Sequence, residues 1–185
     1  EGAFLAFQIA IARGAPGSVM CAYNRLHGDW CGESDFLLNQ VLKRDWAYPG
    51  WVMSDWGAVH STAKAAMAGL DQESGEQLDR EVYFGAPLKA AVESGEVAFE
   101  RLTDMVHRIL RSLIAAGVYD DPPVKGPVDA AAHARVTQSA AEAGTVLLKN
   151  DANLLPLART LRRIAVIGGH ADVGVLSGGG SSQGI

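Results

Sequence analysis

The run Trp51-Val52-Met53-Ser54-Asp55-Trp56-Gly57-Ala58 constrains this chain most, because a strand-like apolar segment ends on an acidic residue. Trp51, Val52 and Met53 are strand formers, and Pro49-Gly50 ahead of them is a turn signal. Val59, Ala63, Ala66, Met67 and Leu70 then recur at helical spacing, which predicts a helix over about 59–68. Strand, carboxylate and helix in this order put Asp55 at the carboxyl end of a parallel strand. Enzymes built from βα units keep their chemistry at that end, where the loops converge. A carboxylate so placed costs desolvation energy unless it is paired or used. The bland alternative is a helix N-cap, since Asp ahead of a helix commonly caps it.

At 185 residues the chain has room for one large domain or two small ones. Its 48% hydrophobic and 20% charged residues describe a soluble globular protein. No apolar run approaches the roughly 20 residues of a membrane-spanning helix. The net charge of -5 argues against a nucleic-acid partner, which selects a basic face. The chain opens inside a helical pattern at Glu1 and stops inside the Gly/Ser run of Ser177 to Ser182, so it reads as an internal piece of a longer protein. Cys21 and Cys31 fit either a short-loop disulfide, as in a periplasmic or extracellular protein, or two free buried thiols. Neither has a His at ligand spacing, which argues against a metal site.

The remaining pattern is α/β. Phe4, Leu5, Phe7, Ile9 and Ile11 predict a helix closed by Gly14 and Pro16. Residues 18–24 predict a short buried strand, and Ser34 a cap for a helix with Phe36, Leu37, Leu38, Val41 and Leu42 on its apolar face. Lys43 and Arg44 near its end suit the helix dipole. Gly69-Leu70-Asp71 is a candidate strand end. Pro87 opens another helix that stops at Gly95. Phe99, Leu102, Met105, Val106, Ile109, Leu113 and Ile114 give a further one a broad apolar face, closed by Gly117. The Pro-rich stretch 120–128 reads as a linker, 130–143 as a helix, and Thr145–Lys149 and Arg163–Ile167 as strands.

The run Ser18-Val19-Met20-Cys21-Ala22-Tyr23-Asn24-Arg25, with Trp51 to Ala58 downstream, resembles glycoside hydrolase family 3, the β-glucosidase family. Further matches, in the family's order, are Ala68 to Asp71, Val146 to Asp151, Leu154 to Leu157, Ile164 to Ala171 and Gly178 to Ser181. The resemblance implies the C-terminal part of a (β/α)8 barrel over 1–118, a linker over 119–129, and the start of an α/β sandwich over 130–185. It implies a retaining glycosidase that cleaves terminal β-linked glucosyl residues. Asp55 matches the nucleophile of the family's Ser-Asp-Trp motif. The general acid/base, usually a Glu of the second domain, would lie beyond Ile185, and the Lys-His and Arg residues that grip sugar hydroxyls before Glu1. A β-xylosidase, a β-N-acetylhexosaminidase and a non-catalytic sugar-binding relative are the alternatives. No metal or organic cofactor is implied, and the partner is a carbohydrate substrate.

Tyr23 ends the neighbouring strand at a level where its hydroxyl can donate to the Asp55 carboxylate. Trp56 offers a flat apolar face to the C–H surface of a pyranose, and Met20 is a candidate sugar contact that also suits plain packing. His60 is expected to be structural. Asp71 and Glu73 either line the cleft or face solvent, with solvent the expectation, and the resemblance puts Ser181 and Ser182 in a loop that approaches the barrel mouth. Gly168, Gly169 and Gly174 do not give the spacing of a dinucleotide-binding turn.

Overall fold

The computed structural model describes residues 2–75 and 80–175, and the chain divides into two compact units, Glu1–Lys125 and Gly126–Ile185. In the first unit α1 (Gly2–Gly14) stops ahead of Pro16, as its apolar spacing predicts. β1 (Ser18–Cys21) and β4 (Trp51–Ser54) pair in parallel, with Ser18 opposite Trp51 and Cys21 opposite Ser54. Parallel strands need a crossover between them. This one holds the short antiparallel ladder of β2 (Arg25–Leu26) and β3 (Asp29–Trp30), then a helix over Phe36–Asp45. That helix has wide, π-type turns, with the Trp46 amide donating to the Val41 carbonyl at 3.0 Å. Ser34 caps it as expected, accepting from the Leu37 amide at 3.3 Å.

Burial explains where β4 sits. Val52 and Ser54 are fully buried while Trp51 and Met53 are half-buried, so the strand turns alternate residues toward a core with Leu38, Leu42, Tyr48 and Leu70. Each such aliphatic side chain contributes about 1.5–3 kcal/mol on full burial. The strand enters through Gly50, where the Gly17 carbonyl and the Tyr48 ring occupy the space a Cβ would need. The Tyr48 hydroxyl donates to the Pro16 carbonyl at 3.0 Å, and burial pushes its pKa up to about 12. A third parallel neighbour is represented by a bridge between Met53 and Gln72. The strand end expected at Gly69-Leu70-Asp71 thus exists as a single bridge just beyond it.

The helix expected over 59–68 begins later. α2 spans Ala63–Ala68, and 55–62 is an irregular loop. Ala58 and Val59 are buried within the loop itself, so the apolar positions that mimic a helical face are core contacts of a non-helical segment. α3 (Ala86–Glu93) carries Pro87 in its first turn and ends ahead of Gly95 at φ 81°. α4 (Phe99–Ala115) closes with Gly117 at φ 74° and the Val118 amide donating back to Leu113 at 3.1 Å, a Schellman-type stop. Its expected broad apolar face is only partly covered. Met105 is buried against Ala66, Leu88 and Val97, whereas Phe99, Val106, Leu113 and Ile114 are exposed. Polar contacts take over further along the helix, where Arg108 donates to the Tyr48 and Gly50 carbonyls and Arg111 to that of Pro49.

In the second unit α5 (Ala130–Gly144) starts at Asp129, whose carboxylate accepts from the Ala132 amide at 2.8 Å. No residue of α5 is buried. The strands expected at Thr145–Lys149 and Arg163–Ile167 do not form among the described residues. A strand exists only as one side of a hydrogen-bonded ladder, and these segments have no ladder partner among the described residues. Their apolar side chains stay open to solvent, with Leu148 at 91% and Ile167 at 92% exposure. No helix among the described residues is long and apolar enough to cross a membrane.

Candidate active site

The parallel register of β1 and β4 brings two sequence-distant loops to the same end of the sheet, the one after Cys21 and the one after Ser54. Asp55 is the first residue past β4 and is half-buried. By strand alternation it belongs to the side of Met53 and Met20, opposite the helix-covered Val52 and Ser54. One carboxylate oxygen accepts from the Trp56 amide at 2.7 Å. Asp55 does not cap α2: that helix starts eight residues later, with Thr62 at the cap position. The helix-cap alternative therefore falls away, and the carboxylate has no secondary-structure duty at this sheet end.

Three more residues singled out from the sequence gather near it. Tyr23 lies two residues beyond β1, and its hydroxyl donates to the Trp56 carbonyl at 2.9 Å, one residue along from the expected Asp55 acceptor. Trp56 is 47% exposed, and Gly75 passes so close that a Cβ there would lie 2.6 Å from indole Cδ1. Gly75 thus backs the indole, and much of the ring surface remains open. Met20, paired with Met53 across the sheet, is 57% exposed and packs into no core.

Beneath this group lie the two cysteines, both buried and both free, so the disulfide alternative is set aside. Burial raises the Cys21 thiol to about 11, partly offset by a hydrogen bond from the Asp55 main chain, and burial also raises Cys31. Thiols so held are protonated packing groups rather than nucleophiles.

The two acidic residues expected in solvent are not there. Asp71 is 5% exposed, and its carboxylate accepts from Lys43 Nζ at 2.8 Å, from Arg101 at 2.6 Å and from the Val52 amide at 2.8 Å. Lys43, read as a dipole partner at a helix end, is therefore an inward cation that also donates to the Gly69 carbonyl at 2.7 Å. Burial outweighs the attraction of Asp71 and lowers its pKa to about 8. Glu73 is half-buried and accepts from the Tyr83 and Phe84 amides at 2.8 and 2.6 Å. The sequence held one signal for this hub: Arg101, Asp104 and Arg108 recur at helical spacing, a polar stripe beside the apolar one. His60, expected to be structural, stacks on Trp30 with ring centroids 4.1 Å apart. Ser181 and Ser182 lie outside the described residues. The segment after Ile167 is a turn at Gly168, and the described residues show neither the preceding strand nor the following helix of a nucleotide-binding turn. An open apolar groove of about 350 Å³, lined by Phe84, Leu88, Val92 and Leu102 among others, shares no residue with the Asp55 group.

Residues 1–112 match the family model for the glycosyl hydrolase family 3 N terminal domain, and residues 145–184 that for its C-terminal domain. The chain is 40% identical over 170 residues to a protein of Neosartorya fischeri named probable beta-glucosidase L, covering 84% of this chain and 23% of that protein. It is 37% identical over 183 residues to thermostable beta-glucosidase B of Acetivibrio thermocellus, covering 97% of this chain and 23% of that one. Among solved structures it resembles DesR, a beta-glucosidase from Streptomyces venezuelae in complex with D-glucose, with a TM-score of 0.72 and 38% identity over 84% of this chain and 21% of that one. The chain therefore spans under a quarter of the length of these relatives. Its α/β fold is shared with the solved structure.

Proposed function

From the premise that the chain belongs to glycosyl hydrolase family 3, we propose that Asp55 is the nucleophile of a retaining β-glucosidase. The observation that carries this reading is the half-buried Asp55 carboxylate at the C-terminal end of a parallel strand, free of helix capping and beside the exposed Trp56. β1 and β4 are on this reading neighbouring strands of a (β/α)8 barrel over 1–118, with a linker over 119–129 and a sandwich domain beginning at 130. The side of the sheet that bears Met20, Met53 and Asp55 faces the barrel interior, and the buried Val52 side faces the helices.

Retention requires two carboxyl groups about 5–5.5 Å apart. Asp55 attacks the anomeric carbon of a terminal β-glucosyl residue as the second group, a Glu of the following domain, protonates the departing oxygen. The glycosidic bond breaks, and the sugar is held as a glycosyl ester of Asp55. The same Glu, now a base, takes a proton from water, which attacks the anomeric carbon and frees Asp55. The Trp56 amide donates to the carboxylate and fixes its orientation. Tyr23 braces the Trp56 main chain, and Trp56 and Met20 supply apolar surface to the sugar ring. DesR, bound to D-glucose, supports glucose as the sugar recognised here.

The test uses the full-length protein. Nitrophenyl β-glucoside should be hydrolysed in preference to the xyloside and the N-acetylglucosaminide. A 2-deoxy-2-fluoroglucoside should label the peptide that carries Asp55, and Asp55→Asn should lose at least about a thousandfold in kcat while still binding glucose. Near-normal turnover by Asp55→Asn would remove the assignment.

A further inference from the structure

The loop that carries Asp55 has little internal support. Across 55–62 it forms neither helix nor strand, and its one internal main-chain bond is from the Ala58 amide to the Asp55 carbonyl at 3.2 Å. Its conformation comes from outside: Ala58 and Val59 are buried in the core, and the segment after β1 holds the exposed residues around them. Tyr23 holds the Trp56 carbonyl. Further on, the indole of Trp30 stacks on His60 with centroids 4.1 Å apart and planes at 27°. The Arg25 guanidinium carbon lies 4.2 Å from the centre of the same indole. Arg25 and His60 thus both pack on the Trp30 indole. Arg25 and Trp30 are also paired residues of the β2–β3 ladder, which ties this group to the crossover after β1. Glu33, 6% exposed, accepts from Ser61 Oγ at 2.7 Å directly beyond His60.

We propose that the Arg25–Trp30–His60 stack is a positioning element for Asp55, fixing the loop so that the carboxylate meets the anomeric carbon in line. The proposal rests on the reading of Asp55 as nucleophile. Attack demands reacting atoms held near contact, and a displacement of about 1 Å costs on the order of a hundredfold in rate. Cation–π contact and ring stacking over an indole are attractions that can choose among conformations of a loop with few bonds of its own. None of the three side chains needs to touch the sugar for this. They act through the main chain between His60 and Asp55.

Because His60 is exposed, its replacement leaves the core intact. In the full-length protein, His60→Ala should lower kcat and the rate of labelling by the fluoroglucoside at least about tenfold, with KM and glucose inhibition changed less than about twofold. His60→Phe keeps a ring on Trp30 and should recover most of the loss. A kcat for His60→Ala within about twofold of the parent overturns the proposal, as does a loss confined to KM or a His60→Phe no better than His60→Ala. The label separates the two readings. An adduct on Asp55 with an unaffected His60→Ala sinks the stack alone, whereas an adduct on another residue sinks both.

Discussion

Asp71→Asn removes the anion that faces Lys43 and Arg101 beneath β4, and the structure permits its cost to be bounded. The side chains of Asp71, Lys43 and Arg101 are 0%, 8% and 11% exposed. Arg101 keeps other partners: Asp104 at 2.8 Å and the carbonyls of Ala66 and Leu70. Lys43 keeps only the Gly69 carbonyl among its described hydrogen bonds. Breaking one side of a buried pair costs about 3–5 kcal/mol. The expectation is therefore about 3–5 kcal/mol near pH 7.

The pH dependence carries a sign. The pKa of Lys43 is about 8 in the fold, below its unfolded value of 10.5, so between these limits the unfolded chain binds more protons and stability rises with pH. Without Asp71 the folded value falls further, so the rise begins at lower pH. The gap between variant and parent must then narrow as pH climbs toward about 8 and stay level above it, where Lys43 is neutral in both folds. Hydrogen-exchange mass spectrometry of peptides covering 51–72 reads this locally, since the Val52 amide donates to Asp71 and the Asp71 amide to Val52. Exchange should speed up on the order of a hundredfold near pH 7, compared with the parent at the same pH. A gap under about 1 kcal/mol, or one that widens with pH, would refute the account of the hub.

Other outcomes follow from packing. Gly69→Ala places a Cβ 2.6 Å from Asn39 Oδ1 and 2.9 Å from Leu38 Cβ at φ 114°, so it should cost about 1–3 kcal/mol, seen as a lower Tm for the full-length protein. An unchanged Tm would show that the helix over Phe36–Asp45 yields there. Cys21, raised to about 11, and Cys31, also raised, should resist an aromatic disulfide reagent near pH 8 until denaturant is added, and both should then react without prior reduction. Rapid labelling of the native protein, or none after denaturation, would contradict two buried free thiols.

What could be read from the chain follows the range of the forces involved. α1, α3, α4 and α5 were legible because periodicity, caps and stops are local: Pro87 at a first turn, Gly117 at a stop, Asp129 ahead of an Ala-rich run. The parallel placement of β4 and the exposed end at Asp55 were legible for the same reason. The late start of α2 was not, because Val59 satisfies helical spacing while being buried by tertiary contact. Asp71 and Lys43 were misread because twenty-eight residues separate them and no local pattern reports an ion pair of that span. The strands expected at Thr145–Lys149 and Arg163–Ile167 show the converse: strand composition supplies the propensity but not the ladder.

The candidate site then has a simple mechanical logic, built from long-range contacts that local patterning hides. Asp55 stands at the junction of a strand and a loop, and each side is secured by a different chemistry. On the strand side, Asp71 grips the Val52 amide and draws Lys43 and Arg101 onto one carboxylate, so β4 is anchored by buried charge. On the loop side, Trp56 and His60 are held by Tyr23 and by the indole of Trp30, contacts that are exposed and individually weak. The two therefore fail differently. Loss of the hub should unfold the strand and lower stability, with activity falling as a consequence. Loss of the stack should leave stability nearly unchanged and lower kcat. A Tm falling as far in His60→Ala as in Asp71→Asn would mean that the stack supports the core as the hub does, and the division of labour around Asp55 would collapse into one structural unit.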